Sequence, residues 1–191
     1  MQEIEIEFKN LLTKHQYEQI RQDWIPNSQP KKQTNYYFET DEFYLKKHLM
    51  ALRVREKGSK YVATLKQPSH EGLLETHDSL TAEEAKSWFN NHVNLKENIK
   101  SQLSHLNIDE SHIKFMGSLT TFRLEKKVDG VVLVLDYSVY NGQEDYELEV
   151  EAPSYSQGEA FFHDILSQYT IKQAKAENKI QRFFNTMPKG L

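Results

Sequence analysis

Glu3-Ile4-Glu5-Ile6-Glu7-Phe8-Lys9 opens the chain in strict alternation of charged and apolar residues. In a β-strand successive side chains point to opposite faces, so Ile4, Ile6 and Phe8 share one face and Glu3, Glu5, Glu7 and Lys9 the other. Neighbours on one face then stand about 7 Å apart, given a rise of about 3.3 Å per residue. Such a row of carboxylates repels itself unless a cation covers it, and a divalent ion is the usual one. The competing reading is a solvated edge strand, charged against edge-to-edge association.

The totals narrow the classes available. A chain of 191 residues suits one domain with a full core, with room for a small helical insertion. The net charge of −4 argues against a nucleic-acid partner. With no cysteine, disulfides, zinc–thiolate sites and thiol nucleophiles are excluded, which fits a cytoplasmic location. The N-terminus is acidic, unlike a secretory signal, and no apolar run approaches the roughly 20 residues that span a bilayer, so no membrane partner is expected. Eight histidines occur, none of them in an HExxH pattern, which speaks against a histidine-rich metal site.

Beyond the first strand, Thr13 and Gln16 form a capping box for a helix whose apolar face is Tyr17, Ile20 and Trp24. Thr34 to Thr40 is β-prone, and Ala51 to Glu56, Lys57-Gly58-Ser59 and Tyr61 to Lys66 read as a hairpin. A strand near Gly72 to Asp78 precedes a helical insertion at about 81–112. Thr81 and Glu84 open that insertion, and Leu95, Ile99, Leu103 and Leu106 continue it. Strands return from about Lys114. Asp129-Gly130 and Asn141-Gly142 are the turn signals between Ser118–Val128, Val131–Tyr137 and Asp145–Glu151. Ser156 with Glu159 is expected to cap a helix bearing Phe161, Phe162, Ile165, Leu166 and Tyr169, and a last helix is expected at about 172–186. The expected class is α+β, built on an eight-stranded antiparallel closed β-barrel with helices packed outside.

Most strands repeat the pattern of the first. Arg53 and Arg55 oppose Leu52 and Val54; Lys66 and Thr64 oppose Ala63 and Leu65; Glu75 aligns with His77. Thr121 and Arg123 oppose Phe122 and Leu124, Asp136 ends a run of Val and Leu, and Glu147, Glu149 and Glu151 form a second acidic row. If the apolar faces pack on helices, the charged faces enclose a polar lumen; an open sheet with one wet face is the alternative. Acidic rows call for a hard cation such as Mg²⁺ or Mn²⁺, and paired arginines and lysines for phosphate. No GxxxxGK[ST] loop is present, so side chains must grip such a ligand.

With these residues in place, the chain resembles the CYTH family, the triphosphate tunnel metalloenzymes, of the short single-domain bacterial type. Glu5, Glu7 and Lys9 match its ExExK signature, and Leu52-Arg53-Val54-Arg55, Thr64-Leu65-Lys66, Arg123, Leu135-Asp136, the Glu147 to Glu151 strand and Lys179 match in order. The resemblance implies one domain over residues 1–191 and metal-dependent hydrolysis of inorganic triphosphate or an organic triphosphate such as thiamine triphosphate. It implies metal ligands among Glu5, Glu7, Asp136, Glu147, Glu149 and Glu151, with three glutamates competing for a two-glutamate motif. It implies phosphate ligands at Lys9, Arg53, Arg55, Lys66, Arg123 and Lys179, and a catalytic part for Lys9 in activating water. Two positions depart from the expected pattern: Asn178 precedes Lys179, and His77 follows Glu75. The rival readings are an adenylyl cyclase on the same scaffold and a non-catalytic polyphosphate-binding module. Lys175, Lys179 and Arg182 form a basic stripe on the last helix, either solvated or plugging the tunnel mouth.

Overall fold

The structure, a computed structural model, describes residues 1–187 apart from 71, 105, 107 and 175. In chain order the elements are β1 (Gln2–Glu5), β2 (Glu7–Leu12), α1 (Lys14–Trp24), β3 (Lys31–Thr40), α2 (Tyr44–Lys47), β4 (Ala51–Lys57), β5 (Lys60–Ser69) and β6 (Gly72–Leu80). There follow α3 (Ala82–Phe89), α4 (Glu97–Ser104), a 3₁₀ turn at Glu110–His112, β7 (Ile113–Val128), β8 (Val131–Tyr140), β9 (Gln143–Glu151), α5 (Tyr155–Gln168) and α6 (Lys179–Asn185). The class is α+β, and every pairing whose register is resolved is antiparallel. The chain folds as two compact units, Met1–Ile4 with Gln33–Leu119, and Glu5–Lys32 with Thr120–Leu191.

In the first unit the strand order is β1-β6-β5-β4-β3. The alternation expected for β4 and β5 puts Leu52, Val54, Ala63 and Leu65 fully inside, against Trp88 of α3 and Ile99 and Leu103 of α4. The capping box of α3 forms as expected: Glu84 N donates to Thr81 Oγ1 and Thr81 N to a Glu84 carboxylate oxygen. Asp78 accepts from Ile99 N at 2.9 Å and so anchors the first turn of α4. The short helix α2 has no helical sequence period. Buried Glu39 makes it by accepting from Leu45 N and Lys46 N.

In the second unit the order is β7-β8-β9-β2. Leu124, Leu133, Leu135, Leu148 and Val150 form its core with Tyr17 and Ile20 of α1 and Phe162, Ile165 and Leu166 of α5. Asp129-Gly130 and Asn141-Gly142 turn the β7–β8 and β8–β9 hairpins with φ of 46° and 89°, and 46° and 74°, the all-positive pattern of type I′ turns.

Four expectations are corrected. Nine strands form among the described residues, and their hydrogen-bonded order is open, not a closed eight-stranded barrel. The expected first strand is interrupted at Ile6, so β1 pairs with β6 while β2 pairs with β9. Ile4 remains 45% exposed, so the apolar face of that stretch is only partly covered. The cap of α5 is Ser154, accepting from Gln157 N, and not Ser156. The last helix is shorter than expected because Asn178 caps it at Lys179, while upstream Ala174 N donates to Asn10 Oδ1 of β2. Lys175 of the basic stripe lies outside the described residues.

Candidate metal and phosphate site

The second unit gathers charge from four strands and a helix. Hairpin register sets Arg123 of β7 opposite Asp136 of β8, Asp136 opposite Glu147 of β9, and Lys9 and Glu7 of β2 opposite Glu149 and Glu151. Arg123 grips Asp136 in a fork, Nε to Oδ1 at 2.8 Å and Nη2 to Oδ2 at 2.7 Å, and also reaches Glu149 and, at 3.4 Å, Glu151. Lys179, the first residue of α6, contacts Asp136 at 2.8 Å, Glu149 at 2.5 Å and Glu147. An ammonium has three donors, and three carboxylates take them. Arg182, one turn further on, bonds Glu147 Oε2 at 2.9 Å and Asp145 Oδ2 at 3.0 Å.

Burial makes these charges interdependent. Asp136 and Glu147 are 0% exposed and Glu149 is 5% exposed. Burial disfavours charge on Lys179, but Asp136, Glu149 and Glu147 outweigh it and hold the ammonium well above the usual lysine range. Burial likewise opposes Arg123, whose pKa Asp136 and Glu149 hold well above the ordinary arginine value. Burial would raise Glu149, yet Lys179, Arg123 and Lys9 keep it well below the usual carboxylate range. Glu151 behaves differently. Burial pushes its carboxyl up to about 7, Arg123 opposes this, and Glu149, Glu5 and Glu7 push it further up.

This contrast tests which acids suit a cation. Asp136, Glu147 and Glu149 bring carboxylate oxygens within 4.8 Å of one another, the spacing of a hard-ion site. Lys179 already serves that trio, with Arg123 and Arg182 beside it. At Glu151 burial disfavours ionisation, Arg123 opposes this effect, and Glu149, Glu5 and Glu7 add to the burial. Glu7 is paired with Lys9. The carboxylates around Glu151 therefore fit a divalent cation on charge grounds, and the Lys179 trio has its own counter-ion.

The first unit holds a separate group. Lys66 pairs with Glu75, its register partner, and Arg53 Nη2 lies 3.9 Å from Glu75 Oε2. Arg53 Nε is buried with no hydrogen-bond partner among the described residues. Arg55 Nε donates to Asn35 Oδ1 across the β3–β4 pair at 3.0 Å. His77 Nδ1 is 3.0 Å from Thr64 Oγ1, and its Nε2 is 3.0 Å from Glu3 Oε1.

Of the residues expected at a site, Lys9, Glu5, Glu7, Arg123, Asp136, Glu147, Glu149, Glu151 and Lys179 all belong to the second unit, and Arg53, Arg55 and Lys66 to the first. Arg182 was read only as part of the basic stripe, either solvated or plugging a tunnel mouth; it is 8% exposed and bonded to β9. The signal for it was the helical i, i+3 spacing from Lys179, which puts both cations on one face. Glu3 was seen in its acidic row without any pointer to His77, because nothing in a single sequence reveals that β1 pairs with β6.

The scaffold is α+β and antiparallel, with apolar strand faces packed on helices and carboxylates set against arginine and lysine across the strand pairs. The family model for the CYTH domain matches residues 3–184, and the chain belongs to that family. It is 42% identical over 192 residues to a Bacillus subtilis (strain 168) protein named "Putative triphosphatase YjbK", covering 100% of this chain and 99% of that protein. A crystal structure from Bacillus halodurans, named as a "putative adenylate cyclase", is 42% identical with a TM-score of 0.91, covering 96% of this chain and 98% of that one. A Hippeastrum protein called an adenylyl cyclase with dominant triphosphatase activity shares the fold at 19% identity and a TM-score of 0.79, over 95% of this chain and 96% of that one.

Proposed function

We propose that the protein is a metal-dependent triphosphatase, a single CYTH domain that releases orthophosphate from inorganic triphosphate or an organic triphosphate such as thiamine triphosphate. Family membership and the name of the Bacillus subtilis relative support the reaction class. The observation that carries the reading is the pairing of Glu7 with Glu151 across β2 and β9, beside a trio of acids that Lys179 already answers. Glu5, Glu7 and Glu151 would hold Mg²⁺ or Mn²⁺, which when bound would offset phosphate charge and acidify a water.

The chain's own residues do the rest. Arg53, Arg55 and Lys66 are assigned to phosphate oxygens, and the unpartnered Arg53 Nε supports this with a donor still to be satisfied. Arg123 helps keep Glu149 ionised and forks onto Asp136 while offering its remaining reach toward Glu151. Lys9, held by Glu7 and set opposite Glu149, is positioned to orient the attacking water or a phosphate oxygen. Lys179 is reassigned: its three donors are taken, so it acts as the internal counter-ion of Asp136, Glu147 and Glu149 and not as a phosphate ligand. Positioning and electrostatics supply most of the rate in such a reaction.

A panel of inorganic, thiamine and nucleoside triphosphates, assayed for orthophosphate with Mg²⁺ or Mn²⁺ and with chelator, tests the reading. Chelator-sensitive release from at least one triphosphate is expected. The name of the Bacillus halodurans structure favours a second reading, cyclisation of ATP. Cyclic AMP with pyrophosphate, and no orthophosphate, would replace the first reading with that one.

A further inference from the structure

We propose that Glu3, Glu75 and His77 form a second divalent-cation site, one that contains a nitrogen ligand and therefore selects Mn²⁺ or Zn²⁺ over Mg²⁺. The three residues each offer one ligand atom, all within 4.8 Å of one another. His77 Nε2 stands 3.0 Å from Glu3 Oε1 and 3.5 Å from Glu75 Oε2. Ligands about 2.1 Å from a metal lie about 3.0 Å apart when cis in an octahedron and about 3.4 Å apart in a tetrahedron. His77 Nε2 already stands at that spacing from both carboxylates.

The surroundings are those of a supported ligand set. β1 is fixed on β6 by His77 N donating to Met1 O at 2.9 Å and by Gln2 Nε2 donating to Thr76 Oγ1 at 3.1 Å. That pairing carries Glu3 to His77. The β5–β6 register places Thr64 opposite His77 and Lys66 opposite Glu75. Thr64, 3% exposed, lies 3.0 Å from Nδ1 and suits an imidazole that gives its Nδ1 proton to the hydroxyl and keeps its Nε2 lone pair for a metal. Lys66 pairs with Oε1 of Glu75, while Oε2 faces His77 and lies 3.9 Å from Arg53 Nη2. Without a cation, an Nε2 proton makes His77 a plain hydrogen-bond partner of these carboxylates. Imidazole with carboxylates suits Mn²⁺ and Zn²⁺, whereas Mg²⁺ prefers oxygen throughout.

The test uses the full chain stripped of metal and titrated with Mn²⁺, followed by electron paramagnetic resonance with electron spin-echo detection of ¹⁴N coupling. The site predicts nitrogen coupling that disappears in His77→Gln. Because Glu3 is exposed, Glu3→Gln keeps the fold and weakens binding of that ion at least tenfold, and Zn²⁺ displaces it where equimolar Mg²⁺ does not. Glu151→Gln leaves the nitrogen coupling in place, which separates this site from the triphosphatase reading. Bound Mn²⁺ without nitrogen coupling, or coupling that survives His77→Gln, overturns the proposal and returns His77 to an ion pair; displacement by equimolar Mg²⁺ overturns the selectivity.

Discussion

Replacing Lys179 by methionine keeps the length and apolar stem of the side chain and removes its charge. The ammonium is bonded to Asp136, Glu147 and Glu149, of which the first two are wholly inaccessible to solvent. Breaking a buried charge cluster by removing one partner costs about 3–5 kcal/mol, because the remaining carboxylates are left unneutralised. Arg123 and Arg182 still face the trio, so the lower end, about 3 kcal/mol, is expected. At about 2–4 °C per kcal/mol for a chain of this size, the melting temperature in chelator should fall by about 10 °C. A divalent ion can take the vacated role, and at a hundredfold excess over its dissociation constant it restores about 2.7 kcal/mol. The variant should therefore melt early in chelator and recover most of the loss with Mg²⁺ or Mn²⁺, more than the wild type gains from the same ions. Exposed Lys172→Met serves as the control and should change stability by less than about 0.5 kcal/mol. A melting temperature in chelator within about 2 °C of wild type would refute the counter-ion role and return Lys179 to the substrate.

Glu151→Gln removes the carboxylate that burial, with Glu149, Glu5 and Glu7, pushes up to about 7, so at pH 8 in chelator the variant should melt higher than wild type while binding Mn²⁺ more weakly; equal Mn²⁺ affinity would remove Glu151 from the cation site. Glu5→Gln and Glu7→Gln should each cut metal-dependent orthophosphate release at least about 100-fold, beyond the 10–100-fold usual for outer-sphere changes, and wild-type rates at saturating Mg²⁺ would exclude them as ligands. Gly158→Ala gains up to about 1 kcal/mol in helix propensity, but its Cβ would meet Phe8 Cε2 at 2.6 Å and Ala152 Cβ at 2.8 Å, so a net loss of about 1–3 kcal/mol in urea unfolding is expected; a rise in the midpoint would show that Phe8 yields freely. Burial raises buried Tyr17 and Tyr140 to about 12, so the unfolded chain loses those protons first and stability should fall as pH rises from about 10 to 12, by about 2 kcal/mol for each; phenolate absorbance appearing near pH 10 with no loss of fold would contradict this.

Period-2 alternation placed Leu52, Val54, Leu148 and Val150 inside, because a strand's two faces are set by residue parity alone. The capping boxes at Thr13 and Thr81 and the two type I′ turns were legible for a similar reason: each is a contact between residues two or three apart. What the sequence concealed depends on long-range pairing. The break at Ile6 follows from β1 and β2 choosing partners far along the chain, and α2 exists because Glu39 turns inward. The last helix was overextended because residues 172–178 carry helical residue types, while Asn10 of β2 claims the amide of Ala174. At the site, residue types and strand faces were readable, but the division of labour among the acids was not.

That division follows from a gradient along β9. Glu147, Glu149 and Glu151 share one face, yet their partners change step by step. Glu147 is fully buried and answered by Arg182 and Lys179, both on α6. Glu149 is shared between Lys179 and Arg123. Glu151, with its side chain 34% accessible, has a 3.4 Å contact to Arg123 and faces the repulsion of Glu149, Glu5 and Glu7. Helix α6 can neutralise only the residues its first turn reaches, so compensation runs out at the end of the row nearest the ExExK strand. A motif that needs two glutamates is thus met by three because the third, Glu147, secures the helix that carries Lys179. If this is right, Glu147→Gln should loosen α6 and lower stability while sparing Mn²⁺ affinity, the reverse of what Glu151→Gln does. Loss of Mn²⁺ binding in Glu147→Gln without loss of stability would invert the gradient and place the cation at the buried end of β9.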